Sequence, residues 1–291
     1  MILFPQAKIN LGLNVVERRP DGYHNLETVF YPVPLCDALE VLPMDERFPS
    51  PVDCDLRVSH GAAGYDAAAD PDIARFDTGD DQKNLVVKAY HLLKQEFPDL
   101  PRVHIYLHKA IPTQSGMGGG SSDCASMLLM MNELASLGLS QDALIGRAAR
   151  LGADCPFFIL GHPAYAEGIG ERLVPVDLDL SGWFLAVVRP AVAVSTKEAF
   201  SLITPKKPAR NCRDIVSTVP VEQWRDVLLN DFEQSVFALH PEIAQVKERL
   251  YDLGAAYSIM SGSGSAVVGL FRQPIDLEQA FPDMFTRLLK L

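Results

Sequence analysis

Between residues 111 and 131 the chain reads IPTQSGMGGGSSDCASMLLMM, with glycine at positions 116, 118, 119 and 120 and with Ser121, Ser122 and Asp123 directly behind. No other stretch restricts the fold as much. Upstream, Val103, Ile105 and Leu107 alternate with His104, Tyr106 and His108, the period of a half-buried strand. Downstream, Cys124, Met127, Leu128, Met131 and Ala135 recur at helical spacing and Gly138 follows, so a helix starts at the glycines. A strand, a glycine-rich loop and a helix N-terminus in that order leave backbone N–H groups without partners at the positive end of a dipole. Glycine lets a ligand approach that main chain closely. Such a loop is a seat for phosphate. A flexible turn would account for one GxG, but not readily for three adjacent glycines and two serines at a helix start. The loop is not of the Walker type, because no lysine lies between Gly116 and Asp123. It is not a dinucleotide fingerprint either: Ser121 stands where the last glycine belongs, and seven residues separate His108 from Gly116.

The 291 residues, 48% of them hydrophobic, suffice for one large domain or two moderate ones. A net charge of −11 opposes nucleic acid and anionic membranes as main partners, since both need a positive face. An anionic small molecule can still be received by local N–H groups and lysines. The five cysteines (Cys36, Cys54, Cys124, Cys155 and Cys212) include no CxxC pair, which fits a reducing cytoplasm without structural zinc. No apolar run approaches 18 residues, and MILFPQAKIN lacks the features of a signal peptide, so a cytoplasmic location is expected.

Ala7, Ile9, Leu11, Leu13 and Val15 alternate with Lys8, Asn10, Gly12 and Asn14, giving a strand with one core face. Lys8 and Asn10 stand side by side on the other face, about 7 Å apart, where strand lysines are ordinarily solvated. Arg18-Arg-Pro-Asp-Gly22 is a turn, and Tyr23-His24 opens an extended run to Val33. Residues 45–81 carry ten acidic residues against three arginines and read as a surface hairpin or loop. Asn84 caps a helix that Pro98 ends. His104 and His108 share a strand face about 13 Å apart, too far for one zinc ion. A serine-capped helix over 140–151 leads into Gly152-Ala-Asp-Cys-Pro-Phe-Phe158, where Asp154 sits between small and apolar residues. Further on, a strand over 183–189, a helix over 241–253 and strands over 257–260 and 265–271 are expected, the last two flanking Ser261-Gly-Ser-Gly264.

The glycine loop resembles the GHMP kinase signature, Pro-x-x-x-Gly-Leu-Gly-Ser-Ser-Ala, in its Gly-Gly-Gly-Ser-Ser variant, and the resemblance extends over nearly the whole chain. Pro5-Gln-Ala-Lys8-Ile-Asn10-Leu11 is similar to the family's Pro-x-Lys-x-Asn-Leu strand, with one extra residue after the proline. Asp21-Gly-Tyr-His24 and Gly152-Ala-Asp154-Cys-Pro-Phe-Phe158 match two further hallmarks, and Gly262-Ser-Gly264 is similar to a turn that in the family lies against the phosphate loop. The departures are Gln114 and Ser115 where Gly-Ala is usual, Met117 for leucine, Cys155 for valine, and the acidic insertion.

This resemblance implies an α/β (α+β) fold of two domains. Residues 1–160 would form a nucleotide-binding and catalytic domain like the second domain of ribosomal protein S5, and residues 161–291 a ferredoxin-like C-terminal domain. It implies an ATP-dependent small-molecule kinase with Mg2+, in which Asp154 is the catalytic base and Lys8 its partner. ATP would be held by Pro112, Gly116, Gly118, Gly119, Gly120, Ser121 and Ser122, with Asn84 a candidate contact of the base, Lys109 near the nucleotide and Ser122 the candidate neighbour of Mg2+. Asp-Gly-Tyr-His belongs to the branch that takes a cytidine diphosphate-linked polyol. It implies Asn10, Tyr23, His24, Thr196 and Phe200 around that substrate, with the aromatics stacking on the cytosine and His24 hydrogen-bonding it. The implied partners are these small molecules, neither nucleic acid nor membrane, and the chain would be a monomer or homodimer. A mevalonate or homoserine kinase of the same family would lack Asp-Gly-Tyr-His, and a non-enzymatic sensor would be expected to lose the lysine or the aspartate. A dinucleotide-dependent oxidoreductase is disfavoured by the loop spacing.

Overall fold

A computed structural model describes residues 1–61 and 81–291. The chain begins with β1 (Ile2–Leu3), β2 (Gln6–Arg18), β3 (His24–Cys36), β4 (Ala38–Pro43) and β5 (Cys54–His60). Then come α1 (Leu85–Glu96), β6 (Val103–Lys109), α2 (Gly119–Leu134), α3 (Gln141–Leu151) and α4 (Cys155–Leu160). Strands β7 (Ala164–Gly168), β8 (Arg172–Pro175) and β9 (Phe184–Arg189) precede α5 (Thr196–Ala199), α6 (Cys212–Thr218), α7 (Phe232–Leu239) and α8 (Pro241–Asp252). The chain closes with β10 (Tyr257–Met260), β11 (Val267–Phe271), α9 (Leu277–Ala280) and β12 (Phe285–Lys290). Its contacts gather into two compact units, one made of Met1–Ala7, Leu35–Thr113 and Gly118–Gly161, the other of Lys8–Pro34, Gln114–Met117 and His162–Leu291.

In the first unit a four-stranded sheet, ordered β1-β4-β6-β5, carries helices on its apolar face. Leu39, Val41, Leu56 and Ile105 pack with Val86, Tyr90 and Leu93 of α1 and with Met127, Leu128 and Met131 of α2. Helix α2 is buried on nearly every side from Ser122 to Met131, the pattern of a central helix. Asn84 caps α1 through a 2.9 Å hydrogen bond from the Val86 N–H, and Ser140 caps α3 through the Ala143 N–H at 3.3 Å.

Strand β5 corrects the expectation of a surface hairpin or loop over residues 45–81. It pairs in parallel with β6, in register from Cys54 opposite Val103 to His60 opposite Lys109. Cys54, Leu56 and Val58 do alternate with Asp55, Arg57 and Ser59, but the acidity of the surrounding segment masks that period in the sequence. The rest of that stretch, residues 62–80, lies outside the described residues.

The second unit holds two four-stranded sheets, ordered β2-β3-β7-β8 and β10-β11-β9-β12. Ala186, Val188, Val267 and Phe271 meet Val236 of α7 and Ile243, Val246 and Leu250 of α8 in its core. Strand β2 is buried on both faces from Ala7 to Leu13, so Lys8 and Asn10 do not lie on the solvated face that a strand lysine ordinarily occupies.

Candidate active site

In the first unit the glycine loop delivers a bare helix end. Gly118, at the N-cap of α2, has φ +72° and carries no side chain to cap the helix. The first intrahelical bond runs from the Ser122 N–H to the Gly118 carbonyl, 2.9 Å. The N–H groups of Gly119, Gly120 and Ser121 precede that bond, and no acidic side chain competes for the first turn. Gly120 is exposed, and among the described residues a Cβ there would meet only Leu85, at 4.0 Å. Ser122 is buried, while Ser121 and Pro112 are half-buried.

Lys109 stands under this helix start. Its ammonium donates to Asp37 and, at 2.5 Å, to Asp123 Oδ2, and a Cβ on Gly119 would lie 3.4 Å from its Nζ. Burial disfavours the charge, but the two carboxylates outweigh it and hold the lysine above its ordinary pKa. Two carboxylates share one ammonium, and Asp123 Oδ1 is buried without a hydrogen-bond partner among the described residues. Burial pushes the Asp123 carboxyl up to about 7, with Lys109 opposing the shift and Asp37 adding to it. The folded chain therefore keeps a proton that the unfolded chain releases near pH 3.9. Stability from this proton is fully present below about pH 4 and is lost as pH rises through about 7. Between about pH 5 and pH 8 the Tm of the wild type is expected to fall relative to that of Asp123→Asn. Thermal scans of the two proteins that run parallel across that range would show Asp123 to be ionised throughout.

Asp154 is half-buried at the N-cap of α4, yet its carboxylate makes no capping bond to the helix. Behind it Cys155 is fully buried. The neighbouring Cys124 thiol holds the Cys155 thiol below its usual pKa.

In the second unit, Gly116 has φ +74°, and a Cβ there would stand 1.9 Å from the Ser261 carbonyl oxygen, so only glycine fits. The Ser261 hydroxyl donates to the Gly116 carbonyl at 3.0 Å and accepts the Asn10 N–H at 3.2 Å. The Gly-Ser-Gly turn thus lies against Gly116, as the resemblance implied. Gln114, where glycine is usual, takes φ +48° with its side chain exposed, so the exchange keeps the left-handed backbone. Met117 is buried, and its carbonyl accepts the Lys8 N–H at 2.9 Å.

Lys8 is 3% exposed. Its Nζ donates to Asn10 Oδ1 at 2.6 Å and lies 4.8 Å from the centre of the Phe30 ring. Asn10 donates in turn to Thr28 Oγ1 at 3.0 Å, and Thr28 donates to the Gly12 carbonyl at 2.5 Å. This buried relay fixes Asn10, and Asn10 aims the lysine.

The Tyr23-His24 pair ends the Arg19–Tyr23 turn, closed by hydrogen bonds from the Arg19 N–H to the Tyr23 carbonyl and from the Gly22 N–H to the Arg19 carbonyl. Tyr23 is 62% exposed. His24 stacks on Phe200 with ring centres 4.5 Å apart and planes at 18°, and Phe200 is braced edge-on by Phe232. Burial, helped by the Arg18 guanidinium, holds the His24 imidazole below its ordinary pKa. Thr196 is exposed in the first turn of α5, which Ser195 and Glu198 close with a capping box.

Within the second unit the structure therefore brings together Lys8 with Asn10, and His24 with Phe200. Within the first it brings Lys109 to Gly119. Sequence reasoning missed Asp37, Asp123, Thr28 and Ser261 as supports of these groups. For Asp37 the available signal was a lone carboxylate in the apolar run from Val33 to Leu39.

The sequence matches the family models for the GHMP kinases N terminal domain over residues 84–162 and for GHMP kinases C terminal over residues 221–287. A 4-diphosphocytidyl-2-C-methyl-D-erythritol kinase of Bacteroides fragilis is 49% identical over 286 residues, covering 97% of each chain. The chain belongs to the 4-diphosphocytidyl-2-C-methyl-D-erythritol kinase family. A second 4-diphosphocytidyl-2-C-methyl-D-erythritol kinase, from Parabacteroides distasonis, is 45% identical over 98% of this chain and 97% of its own. The crystal structure of a 4-(cytidine 5'-diphospho)-2C-methyl-D-erythritol kinase superposes with a TM-score of 0.75 at 31% identity, covering 100% of this chain and 99% of the other. A homoserine kinase from Cytophaga hutchinsonii, with a TM-score of 0.66 at 15% identity over 98% of this chain and 93% of its own, shares the fold. In this member of the 4-diphosphocytidyl-2-C-methyl-D-erythritol kinase family, among the described residues, no helix is long and apolar enough to cross a membrane. No group of three or more His, Cys, Asp or Glu side chains among them could hold a metal ion.

Proposed function

We propose that this chain transfers the γ-phosphoryl group of ATP to the 2-hydroxyl of 4-diphosphocytidyl-2-C-methyl-D-erythritol, a step of non-mevalonate isoprenoid synthesis. The observation that carries this reading is the pairing, in one chain of this family, of an uncapped glycine-rich helix start with the Asp21-Gly-Tyr-His24 segment, whose histidine rests on Phe200. The N–H groups of Gly119, Gly120 and Ser121 receive phosphate oxygens at the positive end of α2. Asn84 lies toward the adenine end, Lys109 supports the nucleotide from under the helix start, and Pro112, Gly116 and Gly118 shape the loop. The Ser122 hydroxyl in the first turn of α2 is the protein oxygen that would face Mg2+, which, when bound, would neutralise charge on the phosphates.

Asp154 takes the proton of the acceptor hydroxyl, and Lys8, aimed by Asn10, offsets charge on the moving phosphoryl group. Tyr23 stacks on the cytosine, Phe200 holds His24 flat, and His24 hydrogen-bonds the base edge. Thr196 and Asn10 complete the substrate contacts. Residues 1–160 supply nucleotide binding and catalysis, residues 161–291 form the C-terminal domain, and the protein works in the cytoplasm. Purified protein incubated with ATP, Mg2+ and 4-diphosphocytidyl-2-C-methyl-D-erythritol is expected to release ADP in step with substrate consumed. ADP release that does not depend on the cytidyl substrate would overturn the assignment.

A neutral imidazole offers one donor and one acceptor, whereas its protonated form offers two donors. Because His24 titrates below its ordinary value near 6.5, cytidyl-substrate affinity is expected to stay level down to that pH and to fall only below it. His24→Ala should weaken the cytidyl substrate about 100-fold or more and ATP little, because a buried base edge is left without its partner. Calorimetric titration of both ligands checks the two statements, and equal losses for both ligands would make His24 a structural residue.

A further inference from the structure

Asp37 lies in none of the motifs, between β3 and β4, yet it is buried and fully engaged. Its N–H donates to the Pro5 carbonyl at 2.9 Å. Its Oδ1 accepts the N–H groups of Ala110 at 2.6 Å and Ile111 at 2.8 Å, and its Oδ2 accepts the Lys109 ammonium. These are the last residue of β6 and the first two of the loop that leads to the glycines. Each tie continues into the helix start. The Ile111 side chain would lie 3.0 Å from a Cβ on Gly119, so it sets how near that glycine comes to the end of β6. Lys109 carries the other tie across to Asp123, in the second turn of α2, at 2.5 Å.

We propose that Asp37 is the positioning residue of the phosphate seat: through Ile111 and through the Lys109–Asp123 pair it fixes where the N-terminus of α2 stands, and so where its N–H groups point. This rests on the reading that those N–H groups hold the ATP phosphates. A carboxylate is required because Oδ1 must accept two amides while Oδ2 faces an ammonium. An asparagine in its place would either turn its NH2 toward Lys109, placing two donors face to face, or turn it toward the amides and lose their acceptor. The amide N–H groups would then bind phosphate from a displaced position, and displacement by about 1 Å costs on the order of 100-fold.

The test is calorimetric titration of Asp37→Asn with a non-hydrolysable ATP analogue and, separately, with 4-diphosphocytidyl-2-C-methyl-D-erythritol. The expected result is a loss of about 10–100-fold for the ATP analogue, with the cytidyl substrate within about twofold of wild type. In steady-state assays KM for ATP should rise and KM for the cytidyl substrate should not. Asp123→Ser cuts the ionic tie at its helix end while leaving the backbone bonds of Asp37 in place. It is expected to show the same selective loss, and it decides the matter if Asp37→Asn fails to fold. Unchanged ATP affinity, or an equal loss for both ligands, overturns the inference. Wild-type protein that binds no ATP analogue overturns the phosphate-seat reading itself, and the inference with it.

Discussion

Asp154→Asn should lower kcat by about 10²–10⁴-fold, the usual contribution of a general base, while both substrates still bind. Phosphoryl transfer leaves the protein mainly positioning and charge stabilisation to perform, and the acceptor alcohol is a poor nucleophile until its proton is taken. The substitution keeps the shape of the side chain and removes only its charge. The Asp154 side chain makes no capping bond to α4, so the substitution removes no cap from that helix. Lys8→Met preserves the buried stem beside Phe30 and removes the ammonium, and it should lower kcat by a comparable factor. Two groups that serve one proton and phosphoryl transfer act as a unit, so the double variant should lose less than the product of the single losses. Steady-state kinetics with circular dichroism on the three variants decides this. A wild-type kcat in Asp154→Asn would make the residue an ordinary turn aspartate.

Gly120→Val should abolish ATP binding and leave the fold intact. Gly116 cannot serve this test, since any Cβ there collides with the Ser261 backbone, and at Gly119 a Cβ already presses on Ile111. Gly120 is different. It lies in the first turn of α2, it is exposed, and among the described residues the space around its Cβ position is open except for Leu85 at 4.0 Å. A branched side chain there stands over the helix N–H groups without disturbing the core. Equilibrium binding should show ATP affinity reduced by at least about 100-fold, with the Tm within about 2 °C of wild type. Unchanged ATP affinity would remove the α2 N-terminus from the nucleotide site.

What could be read from the sequence was whatever local periodicity and local chemistry express. The start of α2 was legible because glycine, serine and a three-to-four apolar period coincide within twenty residues, and α8 because proline opens it and Gly254 follows. Lys8 was legible as a candidate functional residue only through its motif. Its burial depends on what covers the second face of β2, which the alternation of one strand does not record. Strand β5 was hidden because its partner β6 lies more than forty residues downstream and its acidic flanks outvoted three alternating apolar side chains. Asp37 was illegible for the same reason: its meaning lies in the N–H groups of Ala110 and Ile111, seventy residues away, and no local pattern names them. The stacking of His24 on Phe200 is also a long-range fact, and no local pattern names it.

Whether the cytidyl end of the acceptor is the feature that selects it is tested directly by kcat/KM measured under one set of conditions for 4-diphosphocytidyl-2-C-methyl-D-erythritol, mevalonate and homoserine. A site built to hydrogen-bond and stack a cytosine should favour the cytidyl substrate by about 10⁴-fold or more, because the other two leave His24 and Tyr23 without a partner. Comparable values for homoserine or mevalonate would contradict it.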